Sequence, residues 1–290
     1  MVKLVVDKPA LVIHKALGIG QMNWDAPENL ALGQIQMHKV FRTVALEPGS
    51  KSWDLPRAKQ HINIDALSFE DPLMPGRMLS GEQLLNRRVF NDGLIVVHRD
   101  QVVHESYRNG MQAEDRHVIH SCTKSLCAML VAIAVDEGLL VSENAISDYV
   151  PQFKDRAEWQ GVSLQHVLDM QAGIDYSEDY RDPNAHYWSY ARAAGYYPPE
   201  DGEEVVGAKA WIYENLNTRQ CAPGSQFVYN SCLANVLGIA LENVYQQDLA
   251  DIFESRLFQK VGAKSSAYFN TDAFGFPITE GQLNLSLQDF

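Results

Sequence analysis

Residues 116–138 read RHVIHSCTKSLCAMLVAIAVDEG. Four polar residues, Ser121-Cys122-Thr123-Lys124, open a long apolar segment. In it Ala128, Leu130, Val131, Ile133 and Ala134 recur at spacings that suit a buried helix. Gly138 supplies a stop. Ser121 and Lys124 are therefore expected in the first turn, one turn apart and on one face. A lysine there sits against the helix dipole, whose N-terminal end is positive and favours a neutral amine.

That awkward placement makes chemical sense if Lys124 is a base. A serine hydroxyl is a poor nucleophile until a base takes its proton, and a lysine can be that base where its surroundings favour the neutral form. Unpaired backbone N–H groups at a helix start can also meet an oxyanion. The same tetrad has an ordinary reading, with Ser121 as an N-cap and Lys124 as a solvated first-turn residue. A Ser-x-x-Lys spacing arises by chance about once in a chain of average composition and this length.

Working outward, "DGLIVVHRDQVVHESYRNG" reads as a β-hairpin, with Leu94–His98 and Val102–Tyr107 flanking a turn at Arg99-Asp100-Gln101. "SLQHVLDMQAG" reads as a helix with Ser163 as N-cap and Gly173 as C-cap. "DYSEDYRDPNAHYWSYARAAGYYPPEDG" reads as a loop with short helical pieces. "EEVVGAKAWIYENL", "CLANVLGIALENVY" and "DLADIFESRLFQKVG" read as helices, and "SLQDF" as the start of another. Residues 1–85 mix polar, proline-containing pieces with short apolar ones and read as an extended N-terminal arm, leaving 86–290 as the main domain. A lone hairpin is not a stable sheet. Further strands must come from the arm or from beyond Phe290, and the second source is the expected one.

A second constellation precedes one of these helices. In "PGSQFVYNS", Tyr229 and Ser231 stand just before a hydrophobic run. A tyrosine beside a Ser/Lys pair can relay protons, and Ser231 could donate to Lys124 or to a substrate. A core tyrosine and an N-cap serine fit the same letters.

The bulk composition limits the alternatives. The chain has 290 residues, 46% of them hydrophobic and 21% charged, which is enough for one large core. Its formal net charge of -13 argues against nucleic acid and anionic membrane as partners. Cys122, Cys127, Cys221 and Cys232 form no C-x-x-C pair and are expected to be reduced thiols. "MVKLVVDKPALVIHK" lacks the apolar core of a signal peptide. No run reaches the roughly 18 apolar residues of a membrane span. A cytoplasmic protein is the expectation. His98, His104, His117 and His120 do not follow zinc spacing and are expected to be structural, so no metal or cofactor is anticipated. Glu178-Asp179 reads as part of a solvated loop.

Three stretches carry a resemblance. "HSCTKSLCAMLVAIAVDEG", "GVSLQHVLDMQAGIDYSEDY" and "PGSQFVYNS" are similar, in this order, to the Ser-x-x-Lys helix, the following conserved segment and the Tyr-x-Asn/Ser motif of the serine β-lactamase and penicillin-binding superfamily. The match lies in its class C-like branch of esterases and amide hydrolases. With "DYSEDYRDP" it most resembles the 6-aminohexanoate-dimer (nylon oligomer) hydrolases. It covers about residues 85–290.

The resemblance implies an α/β (α+β) fold, an antiparallel sheet packed with helices plus a mostly helical subdomain. It also implies a serine hydrolase of small esters or linear amides. Ser121 would be the acylated nucleophile, Lys124 its base and Tyr229 the proton relay. Ser231 would support the network and Tyr180 would contact substrate. Ser231 stands where the branch usually has Asn, which weighs against true β-lactamase activity. The family's Lys/His-x-Gly motif has no counterpart on a strand, since Lys260-Val261-Gly262 closes a helix. By the same resemblance the chain stops before the family's remaining helix and strands. A non-catalytic binding protein or inactive fragment on this fold, and a D,D-peptidase, are the rival readings. Oligomeric state is not legible.

Overall fold

The computed structural model describes residues 18–290, so the reading of "MVKLVVDKPALVIHK" falls outside the described residues. Among the described residues eight strands occur in chain order: β1 (Thr43–Leu46), β2 (Ser68–Glu70), β3 (Met78–Ser80), β4 (Gly93–His98), β5 (Gln101–Tyr107), β6 (His117–Val118), β7 (Ala267–Asn270) and β8 (Leu283–Leu285). The four-stranded sheet has the order β1-β7-β8-β6 and is antiparallel throughout. β2 pairs with β3, and β4 with β5, as separate two-stranded units.

The sequence expectation places the further strands beyond Phe290. Instead the arm supplies β1 to the four-stranded sheet and forms the β2–β3 pair, and residues 267–285, where sequence reading places no strand, supply β7 and β8. Thr43 pairs with Asn270 and Leu46 with Ala267. Val44 and Leu46 point inward, and this apolar alternation across a half-buried face holds the register. The arm then runs along the outer side of the hairpin, where the Ile62 amide donates to the Val103 carbonyl at 2.8 Å. The hairpin turn begins at Arg99 as expected but is one residue shorter, with Gln101 already in β5. Arg99 and Asp100 both take positive φ, 49° and 59°, which matches the right-handed twist of the flanking strands.

The helices carry the core. Cys122–Asp136 buries Thr123, Cys127, Leu130, Val131 and Ala134. This i, i+4, i+7, i+8, i+11 set is one stripe, so the helix is amphipathic rather than buried all round. Ala128 and Ile133 lie at its margin. Cys232–Tyr245 matches its expected span, and every residue from Cys232 to Leu241 is buried. The two helices pack together, with the Cys127 thiol 3.6 Å from the Ala234 carbonyl. Leu130 is completely buried in this contact layer. Leu130→Ala is expected to lower unfolding stability by ~3 kcal/mol, through lost transfer energy plus a cavity. Urea unfolding followed by circular dichroism would check it.

Three sequence expectations are corrected. The helix after Ser163 spans only Leu164–Leu168, and Gly173 lies beyond its end. Gly173 has φ +72°, and a Cβ there would come within 2.3 Å of the Cys221 carbonyl oxygen, so it serves a close chain crossing instead of a cap. Residues 203–206 stay outside the Gly207–Asn215 helix. Ser286–Asp289 forms a turn, with Ser286 Oγ bound to Asp289. Among the described residues no helix is long and apolar enough to cross a membrane.

Candidate active site

Ser121 sits at the N-cap position of the Cys122–Asp136 helix, but its side chain makes no capping bond. Ser163, by contrast, caps its helix by accepting the His166 amide at 3.1 Å. The hydroxyl of Ser121 is turned toward two other residues. Lys124 Nζ lies 3.0 Å and Tyr229 Oη 2.9 Å from Ser121 Oγ. Helical spacing brings Lys124 to the serine, while Tyr229 arrives from 108 residues away.

Local structure holds this geometry. His120 takes φ +45°, a left-handed conformation that costs on the order of 1 kcal/mol or more for a non-glycine residue. The turn swings the chain from β6 into the helix and leaves Ser121 exposed. On either side of it the chain is bolted to β8. The Ile119 amide donates to the Leu283 carbonyl at 2.9 Å, and buried Thr123 Oγ1 accepts the Leu283 amide at 3.3 Å. Lys124 lays its stem against the protein, and Nζ also donates to the Glu280 backbone carbonyl.

Ser231 occupies the N-cap position of the Cys232–Tyr245 helix, again without a capping bond. Of the two partners expected for its hydroxyl, Lys124 or a substrate, Lys124 is not the one it meets here. Its hydroxyl and its amide both donate to Glu178, at 2.9 and 3.1 Å. Tyr180 Oη donates to the same carboxylate at 2.6 Å. Glu178 is thus the node that ties the loop carrying Tyr180 to the Ser231 turn, and not a solvated acid. Three donors converge on it because a partly desolvated carboxylate needs them. The Tyr180 ring is largely exposed and packs edge-on against Tyr187, with centroids 4.7 Å apart. Ser121, Glu178, Tyr180 and Ser231 line one cleft of about 260 Å³, to which Trp24 and Asp25 of the arm also contribute.

Sequence reading missed Glu280. It is the lone charged residue between Phe274 and Leu287, and an isolated charge in an apolar run is a signal for a buried, partnered group. Its carboxyl accepts the Tyr196 hydroxyl and lies 3.8 Å from Lys124 Nζ. Burial pushes it above the usual carboxylate range, opposed by the Lys124 ammonium and the Tyr196 hydrogen bond.

Two of the histidines are engaged away from Ser121, while His120 lines the same cleft as Ser121. His104 contacts the Ile62 carbonyl and Ser106 Oγ, while His117 contacts the Val118 carbonyl and Asp92. Among the described residues no group of His, Cys, Asp and Glu is arranged to hold a metal. All four cysteines are free thiols. Cys122, beside the nucleophile candidate, is exposed, and buried Cys127 is pushed up to about 12 by desolvation.

Comparison with known proteins adds independent findings. A family model described as Beta-lactamase matches residues 82–282. The chain is 30% identical over 249 residues to the 6-aminohexanoate-dimer hydrolase of Paenarthrobacter ureafaciens, covering 82% of this chain and 62% of that protein. It therefore spans about three fifths of the relative's length. Among solved structures it superposes with a TM-score of 0.82 on a 6-aminohexanoate-dimer hydrolase assignment from Bacillus anthracis, at 20% identity, covering 94% of this chain and 70% of the other. The octameric penicillin-binding protein homologue from Pyrococcus abyssi matches with a TM-score of 0.54 at 18% identity, covering 68% of this chain and 50% of that one. At such identities these structures speak for the fold.

Proposed function

The chain belongs to the beta-lactamase family, and from that premise we propose that it is a serine hydrolase of small esters or linear amides, working through an acyl-enzyme on Ser121. The observation that carries this reading is Ser121 Oγ held between Lys124 Nζ at 3.0 Å and Tyr229 Oη at 2.9 Å. The name of the Paenarthrobacter relative, which specifies a 6-aminohexanoate dimer, supports the amide class.

The reaction follows from these positions. Lys124, acting as base, takes the Ser121 proton as Oγ attacks the substrate carbonyl carbon. Backbone N–H groups stabilise the tetrahedral oxyanion. Tyr229 gives its proton to the departing oxygen or nitrogen as the scissile bond breaks, and Lys124 returns a proton to Tyr229. Both groups lie within hydrogen-bond reach of one oxygen, so no large motion separates the steps. Water then attacks the ester, with Lys124 and Tyr229 acting in the reverse sense. Ser231 and Tyr180, tied by Glu178, form the wall against which substrate rests.

The test is intact-mass spectrometry after exposure to p-nitrophenyl butyrate, followed by peptide mapping. A single butyryl adduct on the peptide containing Ser121 is expected. A folded protein that acquires no adduct, or acquires it on Cys122, overturns the proposal, and reversible ligand binding without an adduct would favour a binding protein.

A further inference from the structure

Resting on the reading of Lys124 as base, we infer that Glu280 is a positioning residue for it, completing a Ser121–Lys124–Glu280 series in which the carboxyl steadies the amine and the ammonium that it becomes. Three observations carry this. The Glu280 carboxyl lies 3.8 Å from Lys124 Nζ, and the backbone carbonyl of the same residue accepts a hydrogen from that Nζ. One residue therefore grips the amine from two directions. The carboxyl is itself fixed, because Tyr196 donates to it and both side chains are buried.

The segment that carries Glu280 is also rigid. Thr279, next to it, is completely buried and bonds to Asn235 through both its amide and its hydroxyl, each at 3.0 Å. Asn235 in turn donates to Tyr190 Oη at 2.6 Å. This network hangs Glu280 from the core of the Cys232–Tyr245 helix. A carboxylate is costly to bury, and its retention beside an amine is explained when the amine must change charge there.

The logic is that of a base whose orientation and developing charge are handled by a third group. When Lys124 takes the serine proton, an ammonium forms in a half-buried site, and a fixed carboxylate beside it lowers the cost of that charge. The surroundings leave this exchange to few groups. From the aromatic segment Tyr187, Tyr190 and Tyr196 face Glu280, and burial keeps each phenol protonated. The same holds for Tyr176 and Tyr180 on the preceding loop and for the Cys232 thiol. At the helix entry His120 is held toward its neutral form, first by burial and then by the neighbouring His117 and Lys124. Lys124 and the Glu178 carboxylate are the remaining charged neighbours.

The experiment uses Glu280→Gln, which keeps the shape and an acceptor for Tyr196 but removes the charge, and Glu280→Asp, which keeps the charge. Two readouts are taken across pH 5–10 on the whole chain (roughly the span that brackets carboxyl and amine titrations). One is the rate of Ser121 acylation by p-nitrophenyl butyrate. The other is the extent of Lys124 labelling by acetic anhydride, read by peptide mass spectrometry, which needs no turnover. Removing a neighbouring carboxylate disfavours the ammonium. In Glu280→Gln the acid limb of the acylation profile and the midpoint of Lys124 labelling are both expected about one pH unit lower. The maximal acylation rate is expected to fall about tenfold as the stabilisation of the nascent ammonium is lost. Glu280→Asp is expected to restore the limb toward wild type.

A folded Glu280→Gln protein with labelling midpoint and limb unmoved overturns the inference, since a merely structural loss would scale the rate without moving either. If labelling shifts as expected but wild type is not acylated on Ser121, the pairing stands and the hydrolase reading fails. If Ser121 acylation is intact and neither curve moves, the hydrolase reading stands and the role of Glu280 fails.

Discussion

Ser121→Ala is expected to abolish butyryl-adduct formation and to lower ester hydrolysis at least about a thousandfold, while far-ultraviolet circular dichroism and the melting temperature stay close to wild type. The large effect follows because Ser121 Oγ is the hydroxyl that bonds both Lys124 Nζ and Tyr229 Oη. The small structural effect follows because the Ser121 side chain is exposed and caps nothing. Losing an N-cap side chain that does cap costs about 1 kcal/mol, and here there is none to lose. Residual turnover within tenfold of wild type would sink the assignment of the nucleophile. The neighbouring Cys122 is the obvious surrogate, so Cys122→Ala serves as the paired control and is expected to retain activity.

Lys124→Met is expected to reduce acylation by about a thousandfold as well, because serine then lacks a base. It carries a second signature that Ser121→Ala lacks. Glu280 would lose the cation that opposes its burial, and its carboxyl would rise further above the ordinary carboxylate range. A group whose folded pKa is raised contributes stability that is fully present below the unfolded value and is lost as pH rises through the folded value. The melting-temperature deficit of Lys124→Met relative to wild type should therefore be small near pH 4–5 and grow toward pH 8, in contrast to a flat deficit. Thermal melts at several pH values check this. A deficit independent of pH would mean that the Lys124–Glu280 pair is not coupled in the folded protein.

The chemistry legible in the sequence was the part written in short-range spacing. Ser121 and Lys124 share a helix turn, so their meeting follows from the period of the helix. The cap role of Ser163 and the hydrophobic run after Ser231 were legible for the same reason, since each depends on residues within a few positions. Tyr229 entered through its neighbours in "PGSQFVYNS" and through family resemblance, because no spacing rule joins it to Ser121. Glu178 was misread because an acidic pair in a polar loop usually stays in water. Only the approach of Ser231, 53 residues later, turns it into a junction.

By itself the sequence determined the helix behind Ser121, the hairpin, the Cys232–Tyr245 helix and the Ser/Lys pair, all set by periodicity and local sterics. The tertiary structure alone decided that residues 43–46 close the sheet against β7, that Ser231 answers to Glu178, and that Glu280 meets Lys124 across 156 residues. The physical reason is common to all three. Strand pairing and the desolvation of a carboxylate depend on which surfaces come together, and that is settled by burial of the whole core.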